Sequence, residues 1–172
     1  MTEMIWLGRG GQGAFTAAKL LGAAYALKDE NDYSLAFPSF GPERRGAPVR
    51  AFTKLDTRPV LDRSETSKAD YIIILDETLY SDQLHSLLKP GGKILINSKR
   101  KKGENILAFD GSFLSEALHL PTVNTVMLGA VSSISGVVTV NDLFQAIDTY
   151  MPPKIREKNK QAVMDAAGEV FK

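Results

Sequence analysis

The chain has 172 residues, with 21 Lys plus Arg against 20 Asp plus Glu, two His and no Cys. That length corresponds to one domain, large enough to bury about 70% of the surface its unfolded chain exposes. A net charge of +1 excludes nucleic-acid binding through bulk positive charge, and the missing Cys excludes disulfides, thiol nucleophiles and Cys-held zinc or iron–sulfur sites. With 44% apolar and 24% charged residues, the composition is that of a folded chain and not of a disordered one. The N-terminus has no basic segment before a long apolar run, and no apolar stretch approaches the about 20 residues of a membrane helix. No nucleic-acid or membrane partner is expected, and the expected compartment is the cytoplasm.

Residues 4–7 form a short apolar run, read as a buried strand, which ends in a glycine cluster at 8–13. Residues 14–28 follow a helical period, with Ala17, Ala18, Leu20, Leu21, Ala24, Tyr25 and Leu27 on one apolar face. Residues 31–48 have no clear period and contain Pro38, Pro42, Pro48, Gly41 and Gly46, which predicts a long loop. Residues 49–55 alternate like a strand. Residues 71–75 are an apolar, β-branched run ending at Asp76, as expected of a strand in a parallel sheet.

Residues 78–88 read as a helix stopped by Pro90-Gly91-Gly92, and 93–96 as the next strand. The run Lys99-Arg100-Lys101-Lys102 is a loop, 105–109 a strand and 112–118 a short helix. Asn124 is expected to cap a helix through residue 135. Residues 141–150 form another, and Pro153 opens the last one, toward Phe171. This alternation predicts one α/β domain over residues 1–172. Its architecture is three-layer α/β/α and Rossmann-like, with a mainly parallel central sheet.

Gly8-Arg9-Gly10-Gly11-Gln12-Gly13 fits the G-x-G-x-x-G pattern and lies between a strand and a helix. Glycines there allow a tight turn and a close backbone approach, and the free N–H groups at the helix start attract an anion. The dinucleotide version also needs an acidic residue ending a second strand about 20 residues on. Here that region is Asp32-Tyr33-Ser34-Leu35, with no strand-like run before it, so the fold is not expected to bind a dinucleotide. Two roles stay open for the turn: an anion site, or tight packing of helix on sheet.

Residues 38–50 combine stiffening prolines with the pair Arg44-Arg45. Forked guanidinium donors suit carboxylate or phosphate. The segment reads as a rigid anion-recognition or subunit-contact loop, or else as a cover for the sheet in which Glu43 pairs with an arginine. Asp76 and Asn97 end two strands at the edge where open α/β sheets bind ligands, although capping of the next turn suffices to explain both. His85 and His119 each fall within an expected helix, where packing or surface exposure is the ordinary role. The basic run at 99–102 is a solvated loop or a contact for phosphates or an acidic protein.

Gly8-x-Gly10-Gly11-Gln12-Gly13 is followed by Thr16-Ala17-Ala18-Lys19-Leu20-Leu21. Further on comes Ser39-Phe40-Gly41-Pro42-Glu43-Arg44-Arg45-Gly46-Ala47-Pro48-Val49. These two motifs resemble the gamma subunit of 2-oxoacid:ferredoxin oxidoreductases. The strand ending at Leu75-Asp76 and the segment Asn124-Thr125-Val126-Met127-Leu128-Gly129-Ala130 continue the resemblance over about residues 4–165. The arginine loop is most similar to the pyruvate-type branch.

The resemblance implies a multi-subunit enzyme that converts a 2-oxoacid and coenzyme A to acyl-CoA and carbon dioxide while reducing ferredoxin or flavodoxin. It implies alpha and beta subunits, and commonly a delta subunit, as partners. Thiamine diphosphate with Mg would lie between alpha and beta, and 4Fe–4S clusters in beta and delta, none of them bound by this chain alone. The gamma domain is associated with coenzyme A binding and with closing over the active site, and is expected to be inactive by itself. By the same resemblance, Gly8, Gly10, Gly11, Gln12 and Gly13 line a ligand or interface cleft. Arg44 and Arg45 meet coenzyme A phosphates or a neighbouring subunit's carboxylate. No catalytic or metal-binding residue is expected. The same residues also admit a stand-alone nucleotide or coenzyme-binding module, or a structural assembly subunit that binds no small molecule.

Overall fold

Alternation along β1 (Thr2–Arg9) sets the architecture of the computed structural model, which describes residues 1–39, 44–101 and 103–170. Met4 and Trp6 enter one core while Ile5 and Leu7 enter another, so both faces of β1 are apolar and covered. That is the position of a central strand in a parallel sheet. The other strands are β2 (Tyr33–Pro38), β3 (Pro48–Asp56), β4 (Ala69–Ile74), β5 (Leu88–Asn97) and β6 (Ile106–Phe109), in the spatial order β2-β3-β1-β4-β5-β6. β1, β4, β5 and β6 pair in parallel, and β3 runs antiparallel between β1 and β2.

The helices are α1 (Ala14–Lys28), α2 (Gly111–Ala117), α3 (Asn124–Ser135), α4 (Val140–Tyr150) and α5 (Pro153–Glu169). All five contribute to the core that contains Met4 and Trp6. Small residues on α1 (Ala17, Ala18, Ala24) let it lie close to the sheet. There Thr53 accepts from Trp6 Nε1 and donates to the Ala18 carbonyl, both at 3.0 Å. The second core is closed by two 3-10 helices, Glu77–Leu79 and Asp82–Leu87, through Leu79, Leu84 and Leu87. Helices therefore lie on both sides of a mainly parallel sheet, as the alternation predicts, but one layer is much thinner.

At the amino ends of β1, β4 and β5 the charges form a network. Lys54, with a side chain only 1% exposed, pairs with Asp62 at 2.8 Å and Glu3 at 3.8 Å. Lys89 reaches Glu3 at 3.1 Å and Asp70 at 2.8 Å. A buried ammonium needs such partners because leaving it alone is strongly destabilising. Among the described residues no helix is long and apolar enough to cross a membrane.

Several local expectations change. Residues 31–48 are not structureless, since β2 pairs with β3 and Phe37 packs on Phe52 with ring centroids 5.2 Å apart. β2 is half-buried on both faces, so it lacks the alternation that would mark it. Residues 78–88 form two 3-10 helices in place of one helix, because Tyr80 and Ser81 are extended between them. Pro90-Gly91-Gly92 falls inside β5, at an irregularity between the pairs Ala69↔Leu88 and Tyr71↔Lys93.

Asn124 is the first residue of α3 and not its cap, a position that Val123 holds. His119 lies past α2 with φ +52°, outside any helix. Of the residues read from sequence, Phe40, Gly41, Pro42, Glu43, Lys102 and Phe171 lie outside the described residues.

Helix α3 is buried along most of its length and α5 crosses it at Gly129, where an added Cβ would lie 2.4 Å from the Val163 carbonyl oxygen. Gly129→Ala is expected to cost about 1–3 kcal/mol. Gly168 on α5 faces open space, and Gly168→Ala should be neutral or stabilise by up to about 1 kcal/mol. Urea midpoints of the two variants check this contrast.

Candidate functional site

β1, β4 and β5 end side by side, in Arg9, in Ile74 just before Asp76, and in Asn97. The chain leaves β1 toward β2 on one side and later returns to β4 on the other. This is the switch point of an open α/β sheet, where ligands bind outside the carboxyl ends of the strands. The glycine turn sits there.

Gly10 is where the two sequence motifs meet. Its N–H donates to the Ala47 carbonyl at 2.8 Å, and its carbonyl accepts from Gly46 N at 3.0 Å. A Cβ on Gly10 would lie 2.1 Å from the Arg44 carbonyl oxygen, so no other residue permits this approach. The arginine loop therefore rests directly on the glycine turn, with Arg44 and Arg45 exposed beside Gly10 and Gly11. Gly8 and Gly10 are both buried, Gly8 against Leu75 and Ala14, where it brings α1 close to the sheet.

Gln12 closes the turn, its N–H donating to the Arg9 carbonyl at 2.9 Å and its Oε1 accepting from Arg9 N at 2.6 Å. Gly13 caps α1 in the left-handed conformation (φ +78°) and offers no side chain to the helix. The first intrahelical donor reaching it is Ala17 N, at 3.0 Å. The N–H groups of Ala14, Phe15 and Thr16 precede that bond, and the first turn of α1 carries no acidic residue. This leaves the positive end of a 15-residue helix beside the turn against which the exposed residues Arg44 and Arg45 rest, an arrangement that can hold an anion.

Three further residues hold the turn. Arg9 donates to Asp76 at 3.1 Å, to the Thr78 hydroxyl at 2.8 Å and to the Gly46 carbonyl at 3.1 Å. It thus joins β1, β4 and the arginine loop. Partial burial pushes the Asp76 carboxyl up, but donation from the Thr78 hydroxyl and N–H, together with Arg9, outweighs it and holds the group below the ordinary aspartate range. Asn124, buried at the start of α3, donates to the Gly13 carbonyl at 3.3 Å and accepts from Thr122 at 2.6 Å.

Sequence reasoning missed this supporting role. Arg9 is the variable position of the motif, Asn124 reads from sequence as a helix cap, and Asp76 as a strand end that caps the following turn. Asp76 does cap the following turn, through Thr78, while also holding Arg9.

Asn97 bonds Ser112 and the Leu75 carbonyl, a local tie of strand to helix. Lys99 and Arg100 are exposed at the same edge, and the Lys101 ammonium lies 3.7 Å from the centre of the Tyr80 ring. His85 contacts the Tyr80 hydroxyl at 3.1 Å. Among the described residues no group of three or more His, Asp or Glu could hold a metal ion.

Fold and site together define an α/β domain in which a glycine turn and an arginine loop meet at the carboxyl edge of the sheet. The chain belongs to the pyruvate ferredoxin/flavodoxin oxidoreductase family, which residues 3–169 match. It is 42% identical over 180 residues to the pyruvate synthase subunit PorC of Methanothermobacter thermautotrophicus, covering 100% of this chain and 97% of that protein. It is 36% identical over 178 residues to the pyruvate/ketoisovalerate oxidoreductases common subunit gamma of Thermococcus litoralis, covering 96% and 95%. The crystal structure of pyruvate oxidoreductase subunit PORC from Thermotoga maritima matches with a TM-score of 0.82 at 30% identity, covering 98% and 96%. The gamma-subunit resemblance read from the two motifs thus holds along the whole chain, and these homologues are subunits of an oxidoreductase.

A carboxyl held below its unfolded value adds stability above the ordinary aspartate pKa of about 4, and that stability is lost as pH falls through the depressed folded value. Asp76→Asn should therefore lower stability by about 1–2 kcal/mol near neutrality. The gap to the wild type should narrow below about pH 4. Urea unfolding of both proteins across that range measures it.

Proposed function

We propose that this chain is the gamma subunit of a pyruvate-type 2-oxoacid:ferredoxin oxidoreductase, with alpha, beta and commonly delta subunits as partners. The complex converts a 2-oxoacid, coenzyme A and oxidised ferredoxin to acyl-CoA, carbon dioxide and reduced ferredoxin, with flavodoxin as the alternative acceptor. In this reading the chain is one cytoplasmic domain over residues 1–172 that binds coenzyme A, helps close the active site and supports assembly. Thiamine diphosphate, Mg and 4Fe–4S clusters act on the other subunits, in keeping with a chain that has no Cys.

The contact of the Arg44 and Arg45 backbone with Gly10 carries the reading. It gathers on one edge the two features that bind phosphates, a helix N-terminus and forked guanidinium donors. Coenzyme A presents a diphosphate and a ribose phosphate to such a site. Gly11, Gln12, Gly13, Arg44 and Arg45 form its surface, and the buried Gly8 and Gly10 support it from below. That one relative is a common subunit of pyruvate and ketoisovalerate oxidoreductases supports selection of the oxoacid on other chains.

In the assembled complex, Arg45→Ala should raise the KM for coenzyme A about tenfold, the equivalent of one charge-assisted hydrogen bond. The KM for the oxoacid should not change. Steady-state kinetics on complexes checked by gel filtration test this. Unchanged coenzyme A affinity and turnover in both Arg45→Ala and Gly10→Val would remove the coenzyme role. Loss of assembly before any change in affinity would leave a structural subunit, and full-affinity binding by the chain alone would make it a stand-alone module.

A further inference from the structure

β2 ends the sheet, with β3 on one side and, among the described residues, no strand on the other. Ser39 N donates to the Arg50 carbonyl at 2.9 Å, one step beyond the pair Pro38↔Ala51. Facing residues in an antiparallel pair alternate between bonded and non-bonded. Tyr33, Leu35 and Phe37 therefore bond to β3, while the N–H and C=O groups of Ser34 and Ala36 point away from the sheet. The side chains of these same two residues line a groove of about 380 Å³ between β2, α1 and the end of α4. Phe15, Leu27 and Tyr150, all exposed, make its apolar walls. Lys19 is its one charged lining residue. The Lys19 ammonium lies 5.4 Å from the centre of the Phe15 ring, and among the described residues no carboxylate pairs with it.

An open strand edge beside an apolar groove is the geometry that accepts an added strand, with main-chain bonds for affinity and pockets for alternate side chains. We propose that another subunit of the oxidoreductase docks here. It lends an extended segment that pairs with Ser34 and Ala36, sets apolar side chains in the groove and places a carboxylate against Lys19. A second copy of this chain fits less well: edge-to-edge pairing of two β2 strands brings two Lys19 side chains together, and Tyr33–Pro38 contains no acidic residue. The proposal rests on the reading of the chain as one subunit of a complex, and concerns a surface apart from the glycine turn.

The test compares hydrogen exchange in the full chain alone and in the assembled complex, with two variants. The amides of Ser34 and Ala36 should exchange rapidly in the free chain and at least about tenfold more slowly in the complex. Ala36→Pro removes an outward donor and leaves every bond between β2 and β3 intact. It should weaken association with the other subunits about tenfold, and Lys19→Glu should weaken it in the same direction.

A wild-type complex in which Ser34 and Ala36 exchange as in the free chain overturns the proposal, and so does full-strength assembly of Ala36→Pro. Protection of the same amides in a dimer of this chain alone overturns it in favour of the second copy. Failure of the wild-type chain to join any complex instead overturns the subunit reading, and the docking proposal with it. Should Ala36→Pro not fold, the wild-type exchange comparison decides alone.

Discussion

The closest constraint in this molecule is the contact between Gly10 and the backbone of Arg44. A single methyl group at Gly10 would sit 2.1 Å from a carbonyl oxygen, so the arginine loop occupies its place only because that residue has no side chain. The two hydrogen bonds around it, Gly10 N to Ala47 and Gly46 N to Gly10, hold the loop without any side chain of its own. Arg44 and Arg45, both exposed, are consequently held beside the turn that opens α1. The place of this part of the loop against the turn follows from one glycine.

Around that contact the fold assigns charge to two separate tasks. At the amino edge Lys54, Lys89, Glu3, Asp62 and Asp70 neutralise one another. At the carboxyl edge Arg9 is held by Asp76, Thr78 and Gly46 and acts as a brace. Of the three arginines near the turn, only the two on the loop are exposed, which separates a bracing charge from two charges open to solvent. A near-zero net charge thus conceals a strongly directional arrangement.

The layers are unequal in the same sense. Among the described residues, five α-helices contribute to the core on one face of the sheet, whereas two 3-10 helices close the other. The thick layer anchors both supports of the glycine turn that come from helices: α1, which the turn opens, and α3, whose Asn124 holds Gly13. The likeness to gamma-type subunits extends over the whole of this layered domain.

Much of this was legible in the residues. The span of α1, from Ala14 to about Lys28, is legible because small and large apolar side chains recur along the whole helix. The four parallel strands declared themselves as β-branched or apolar runs. β2 did not, since an edge strand half-buried on both faces has no period to read, and the 3-10 pair did not, since its composition suits a helix until Tyr80 and Ser81 extend.

The sequence by itself determined the family, the glycine turn before α1 and the absence of any thiol chemistry, all of which are local or compositional. Only the tertiary structure decided that the turn and the arginine loop form one site braced by Arg9, Asp76 and Asn124. The reason is that backbone approach and strand pairing join residues far apart in the chain, and neither leaves a local pattern.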